Sequence, residues 1–225
     1  KKPEKGAVGE KMQVLMVGAP TLLIKKYQKI TTMAGLSIKV LETEILSIVR
    51  ALVTSEDFPP SIIINIGSVS TSLALIRDGI IIFTYSIPTG GLAISRAITT
   101  DFGLTPEQAE EYKKTYGVSN QAFGQKIGKA AQPILNSIMI ELKKALAFYA
   151  DRYKNDKPIR QILLTGGTAK LPGIDVYFTQ NTNIETATTN PWKILKDQNS
   201  LPKAILDNAP DYTIAVGLAM RDYEE

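Results

Sequence analysis

Neither histidine nor cysteine occurs anywhere in the chain. Without cysteine there can be no disulfide framework, no thiolate nucleophile and no cysteine-ligated metal, a composition that fits a reducing compartment. Without histidine, every mechanism that needs imidazole as base or ligand is excluded, Ser-His-Asp hydrolysis and the usual zinc sites among them. Long apolar runs are missing as well. None approaches the ~20 residues that cross a bilayer, and the opening KKPEKGAVGE lacks the apolar core of a signal peptide. The expectation is a soluble, cytoplasmic protein with no direct membrane insertion. Excess charge is slight, +4 over 225 residues, and its lysines form two loose groups, Lys1, Lys2 and Lys5, then Lys25, Lys26 and Lys29. Such groups read as a solvated tail and helix face rather than as a nucleic-acid or membrane patch. There is also no initiator Met, so a fragment with residues missing upstream is expected.

With 44% hydrophobic residues, the chain can bury one large core or two smaller ones. The run MQVLMV, residues 12–17, reads as a buried strand. Pro20 then opens a helical stretch in which Leu23, Tyr27, Ile30 and Ala34 recur at helical spacing until Gly35. A second strand over 36–41 feeds a helix over 43–52, giving a β-α-β-α unit. The acidic, proline-containing SEDFPP at 55–60 marks a boundary, which divides the chain into 1–57 and 58–225.

Beyond it a β-meander is expected over 61–66, 71–76 and 80–87, with Asp78-Gly79 as a hairpin turn. Gly90-Gly91 breaks the sheet, and a helix follows to about Phe102. Thr105 with Gln108 forms a capping box for the next helix, which Gly117 stops. A long helix is expected over 122–153, kinked or divided at Pro133. A strand over 161–165 leads through Gly166-Gly167 to a helix with Pro172 in its first turn, and a closing helix over 211–220 carries Ala215 and Gly217. The stretch 181–206 is polar and shows no clear period. The class is α/β.

Three stretches carry chemistry. In IIINIGSVST, 62–71, a strand turns through Gly67, Ser68 and Ser70 into Thr71, so small residues and hydroxyls can approach an anion. A hairpin turn also needs such residues. In LLTGGTAKLPG, 163–173, Gly166, Gly167 and Thr168 allow close approach of a flat or charged ligand, although a plain strand-to-helix turn uses the same residues. In the helix 104–117, Glu110 and Lys113 share a face, either as an exposed ion pair or as a pair that holds a ribose and ring.

The order of these elements, with the Ala-x-Gly helix at 215–217, resembles the second phosphate loop, ribose-contacting helix, adenosine motif and second connecting helix of the actin, Hsp70 and sugar-kinase superfamily. Within it, SIPTGGLAISRAITTDFGLTPEQAEEYKKTYG and LLTGGTAKLPGI are similar to PilM-like pilus assembly proteins, as are AGL at 34–36 and ETEILSIVRAL. The resemblance implies an actin-like, ribonuclease H-like fold, with the second lobe complete and the first partial. It implies ATP and Mg²⁺ as cofactors, with binding weak or lost in a fragment. Gly67, Ser68, Ser70 and Thr71 would lie against the phosphates, Glu110 and Lys113 against the ribose or adenine, and Gly166, Gly167 and Thr168 against the adenosine.

Two departures stand out. Asn65 occupies the position where the family has an aspartate that holds water on the magnesium ion, so its contact to the metal would be indirect and weaker. The first phosphate loop is nowhere in the sequence. The implied function is a cytoplasmic, nucleotide-responsive scaffold, peripheral to the inner membrane. Its partner would be the cytoplasmic tail of a PilN-like inner-membrane protein, with self-association as a further contact. At most weak ATPase activity is expected, because no residue stands out to orient an attacking water. An ATPase of the same superfamily and an FtsA-like division protein remain the alternatives, the short acidic AMRDYEE counting against the latter.

Overall fold

A computed structural model describes residues 14–55 and 57–223 of the chain. They fall into two compact units that divide between Glu42 and Thr43. The smaller unit contains helix α1, Thr21–Met33. Its end forms a Schellman motif around left-handed Gly35 (φ 72°), where the Leu36 N–H reaches the Thr31 carbonyl at 2.9 Å and the Gly35 N–H reaches that of Thr32 at 3.0 Å. The strands expected on either side of this helix do not form among the described residues: 14–20 and 36–41 run without a ladder. An apolar alternation becomes a strand only beside a hydrogen-bonding partner, and these segments have none in the sheet. Positions 12 and 13 lie outside the described residues.

The larger unit is built on a sheet of order β3-β2-β1-β4-β5. Strand β1, Ser61–Ile66, runs antiparallel to β2, Thr71–Arg77, and parallel to β4, Gln161–Thr165. Strand β3, Ile80–Ile87, forms one edge, and β5, Glu185–Thr188, the other. The β2–β3 turn is Asp78-Gly79, both residues at positive φ (51° and 69°), the primed geometry that matches strand twist.

Every residue of β1 is buried because helices cover both faces of the sheet. On one face Ile62, Ile64 and Ile66 join Leu73 and Leu75 under helices α3 (Gly91–Phe102), α4 (Pro106–Tyr116), α5 (Ala122–Arg152) and α6 (Ile174–Thr182). On the other, Ile63, Ala74 and Ile76 pack with Ile48 of α2, Glu44–Leu52, and Ile214 of α8, Thr213–Ala219. A one-turn helix α7, Lys203–Leu206, lies in the connection before α8.

The Thr105–Gln108 capping box is formed, with Pro106 at the first helical position and Gly117 ending α4. Helix α5 runs undivided through Pro133, whose ring lies on the exposed side. Pro172, expected inside the first turn of α6, instead precedes it. Residues Gly167–Lys170 form a 3-10 turn, and α6 begins only after Gly173, whose left-handed backbone (φ 81°) reorients the chain. The closing helix is likewise split into a 3-10 turn, Ala209–Tyr212, and α8.

Candidate functional site

The carboxyl ends of β1 and β4 emerge side by side, Asn65 opposite Thr165. In an open α/β sheet that is where a ligand crevice forms. The loop after β1 is folded on itself, its Gly67 N–H donating to the Ser70 carbonyl at 3.0 Å, with Ser68 at the exposed corner. The start of α3 secures this loop: the Gly91 N–H donates to the Gly67 carbonyl and the Leu92 N–H to the Ser68 carbonyl, both at 2.8 Å. Two carbonyl oxygens that would repel an anion are thereby engaged by a helix N-terminus. Gly90 permits this approach, since a Cβ there would come within 2.5 Å of the Gly67 oxygen.

The Gly-Gly turn after β4 is held from below. Thr165 Oγ1 lies 3.0 Å from the Pro210 carbonyl and 2.8 Å from Thr213 Oγ1, and the Gly166 N–H donates to Pro210 at 3.2 Å. Gly166 is left-handed (φ 85°) and pressed against Asn65, whose Oδ1 would meet a Cβ at 2.5 Å. Gly167 is different. A Cβ on it would have its nearest neighbour, Asp211 Oδ1, at 3.7 Å, so the residue presents open backbone to the space beside it. Thr168 is buried with its hydroxyl over Gly91.

That space is a cavity of about 1210 Å³. Six of the residues singled out from sequence line it: Gly67, Ser68, Glu110, Lys113, Gly167 and Thr168. The other four lie behind the wall. Thr71 donates its hydroxyl to the Thr89 carbonyl at 2.8 Å, Ser70 closes the loop, Gly166 backs the turn, and Asn65 is buried at the end of β1. The Asn65 amide donates to Glu44 Oε2 at 3.3 Å.

On α4, Lys113 is buried and its Nζ lies 2.6 Å from Glu110 Oε2. Burial alone would push the Glu110 carboxyl up. Hydrogen bonds from Lys113 and Ser95, together with the ammonium charges of Lys113 and Lys114, outweigh it and hold the group below its ordinary value. Several wall residues escaped the sequence reading. Ser95 and Gly91 come from α3, and Lys170 pairs with Asp211 at 2.6 Å; Glu44, which opens α2, lies outside the lining and accepts from Asn65. The available signal was the Gly90-Gly91 pair, read only as a breaker of the sheet.

Helices α2 and α8 meet at Gly217, where a Cβ would lie 1.8 Å from the Ser47 carbonyl oxygen, and Arg50 Nη1 donates to the Gly217 carbonyl at 2.9 Å.

The family model of the type IV pilus assembly protein PilM matches residues 3–223. The chain belongs to this family. The solved PilM-PilN type IV pilus biogenesis complex is 26% identical, with a TM-score of 0.75, over 90% of this chain and 58% of that one. MreB5 of Spiroplasma citri bound to AMPPNP has the same fold at 17% identity, with a TM-score of 0.63, over 92% of this chain and 66% of that one. Among curated proteins, the ethanolamine utilization protein EutJ of Escherichia coli (strain K12) is 24% identical over 116 residues, 52% of this chain and 36% of that protein. The chain thus spans little more than a third of that curated relative. The fold is actin-like, as the sequence led one to expect. Among the described residues, no helix is long and apolar enough to cross a membrane.

Proposed function

We propose that this member of the PilM family binds ATP in the 1210 Å³ cavity and serves as a cytoplasmic, nucleotide-responsive scaffold of type IV pilus assembly. One observation carries the reading. The Gly67-Ser68 loop, the Glu110 carboxylate and the open Gly167-Thr168 turn, more than forty residues apart in sequence, line one cavity at the carboxyl ends of β1 and β4. A hydroxyl-bearing loop for phosphates, a fixed anion for sugar hydroxyls and a bare glycine for a flat ring are what a nucleoside triphosphate requires. The AMPPNP bound to the MreB5 relative supports this choice of ligand.

In this reading the nucleotide motifs lie on 58–225, whose sheet also carries α2, and the remainder of the expected 1–57 segment belongs to the other lobe. The partner is the cytoplasmic tail of a PilN-like inner-membrane protein, supported by the PilM-PilN complex as the similar structure. Magnesium would arrive with the triphosphate. The residues fit an indirect contact, through water: Asn65 is an uncharged, hard ligand set behind the cavity wall, and among the described residues Glu44 is the one carboxylate hydrogen-bonded to it. Bound magnesium would neutralise the phosphate charge, while Asn65 and Glu44 held its waters. Hydrolysis, if it accompanies binding, is weak.

The test is calorimetric. Full-length protein titrated with ATP and magnesium should bind in the micromolar range, and a peptide of the PilN-like tail should bind with an affinity that changes when ATP is present. Absence of ATP binding would sink the cavity assignment. Tail binding indifferent to nucleotide would leave a scaffold without the responsive element.

A further inference from the structure

The cavity wall contains a buried ammonium with no donor left for a ligand. Lys113 is 6% exposed, and the three N–H groups of its ammonium match three protein acceptors: the Gly91 carbonyl at 3.1 Å, Ser95 Oγ at 2.8 Å and Glu110 Oε2 at 2.6 Å. Ser95, also buried, has one proton to give. The ionised Glu110 Oε2 at 2.7 Å takes it in preference to the neutral Gly91 carbonyl at 3.1 Å. One carboxylate oxygen thus accepts from two donors. Among the described residues the other, Oε1, has only the exposed Lys114 ammonium at 3.5 Å and keeps acceptor capacity on a side chain that lines the cavity.

We propose that Lys113 and Ser95 are positioning residues that do not touch the nucleotide, and that they aim Glu110 Oε1 at a sugar hydroxyl, making Ser95 a determinant of ribose over deoxyribose. The proposal rests on the nucleotide reading above. Its location argues for the sugar rather than the base. Gly91 donates to the Gly67 carbonyl of the phosphate loop and accepts from Lys113, so a single residue separates that loop from the Glu110 cluster. In a nucleoside triphosphate the group next to the phosphates is the sugar. An ionised carboxylate accepts but cannot donate, which matches a hydroxyl and leaves a hydrogen-bond site unfilled when the hydroxyl is removed.

Full-length protein, Ser95→Ala and Ser95→Thr are each titrated with ATP, 2′-deoxy-ATP and 3′-deoxy-ATP. The unmodified protein should prefer ATP over at least one deoxy analogue by roughly 10- to 100-fold, the worth of a hydrogen bond to a charged group. Ser95→Ala should lose most of that preference, and Ser95→Thr, which keeps the hydroxyl, should retain it. A second readout needs no nucleotide. The Glu110 carboxyl, followed by carbon NMR through a pH titration, should ionise at higher pH in Ser95→Ala, because a donor to its charged form is gone.

If the carboxyl does not move, the wiring through Ser95 is wrong. If it moves while ATP still binds with undiminished preference, the specificity role is wrong and the ATP assignment stands. If the unmodified protein binds none of the three nucleotides, the nucleotide reading and this proposal fall together.

Discussion

The carboxamide of Asn65 donates to the carboxylate of Glu44 across 3.3 Å, joining the end of β1 to the first turn of α2. Replacing Asn65 by Asp would set two carboxylates against each other there. In metal-free buffer the variant should lose on the order of 2 kcal/mol, the scale of a hydrogen bond to a charged group. Magnesium with ATP should reverse the penalty and bind more tightly than in the unmodified protein, since a cation is attracted by both carboxylates. Thermal unfolding with and without the metal, alongside a magnesium titration, checks both halves. Equal midpoints and equal metal dependence would take Asn65 out of the site.

Gly166 and Gly167 adjoin each other but should respond in opposite ways. Gly166→Ala forces a side chain into left-handed backbone and against Asn65 Oδ1, so it should destabilise the fold by about 1 kcal/mol or more. Gly167→Val meets open space and should leave the melting temperature within a degree or two while abolishing ATP binding. A Gly167→Val protein with normal circular dichroism and normal ATP affinity would reduce the turn to a structural element.

Glu110 gives the stability a defined pH dependence. Its folded-state pKa lies below the ordinary value of 4.5, so its contribution is complete above that pH and is lost as pH falls through the depressed value. The stability gap between the unmodified protein and Glu110→Gln should therefore narrow as pH is lowered beneath about 4.5. Added salt should narrow it too, because the carboxylate is 39% exposed and partly screened. Urea unfolding across that pH range measures the gap, and a constant difference would contradict the assigned partners.

The α2–α8 contact tolerates no atom at position 217. Gly217→Ala must push the helices apart or expel the Ser47 carbonyl, at a cost of at least about 2 kcal/mol. Denaturant unfolding should show a lower midpoint with an unchanged slope. A neutral substitution would mean that the two helices are free to separate.

Most of the larger unit was readable because its signals are local. An Asp-Gly pair between apolar runs, a Thr-x-x-Gln box and a stripe from Ile127 to Leu146 each specify their own element within a few residues. Strand β5, with the sequence ETAT, was missed because a short, polar edge strand carries no period; it exists only because β4 offers it a ladder. The same logic failed in reverse at 14–17 and 36–41, where apolar residues suggested strands that have no ladder to join. Pro172 was placed in a helix by a rule for first turns, but left-handed Gly173 overrides it. At the site, Glu110 and Lys113 were visible as a pair at helical spacing. Their third member was not, since Ser95 lies fifteen residues upstream on another helix and only the fold brings its hydroxyl to them.

Arg50 and Gly217 are 167 residues apart in the chain, yet their helices touch at backbone distance. That separation imposes an order on biosynthesis. Helix α2 leaves the ribosome long before α8 exists, so its apolar flank around Ile48 must wait, half covered, until nearly the whole sheet has been made and α8 can close over it. Contacts of such long range bear a large loop-closure entropy and form late. The final docking of α8 is therefore the natural point at which a nascent chain would be vulnerable to aggregation and at which a chaperone would leave it.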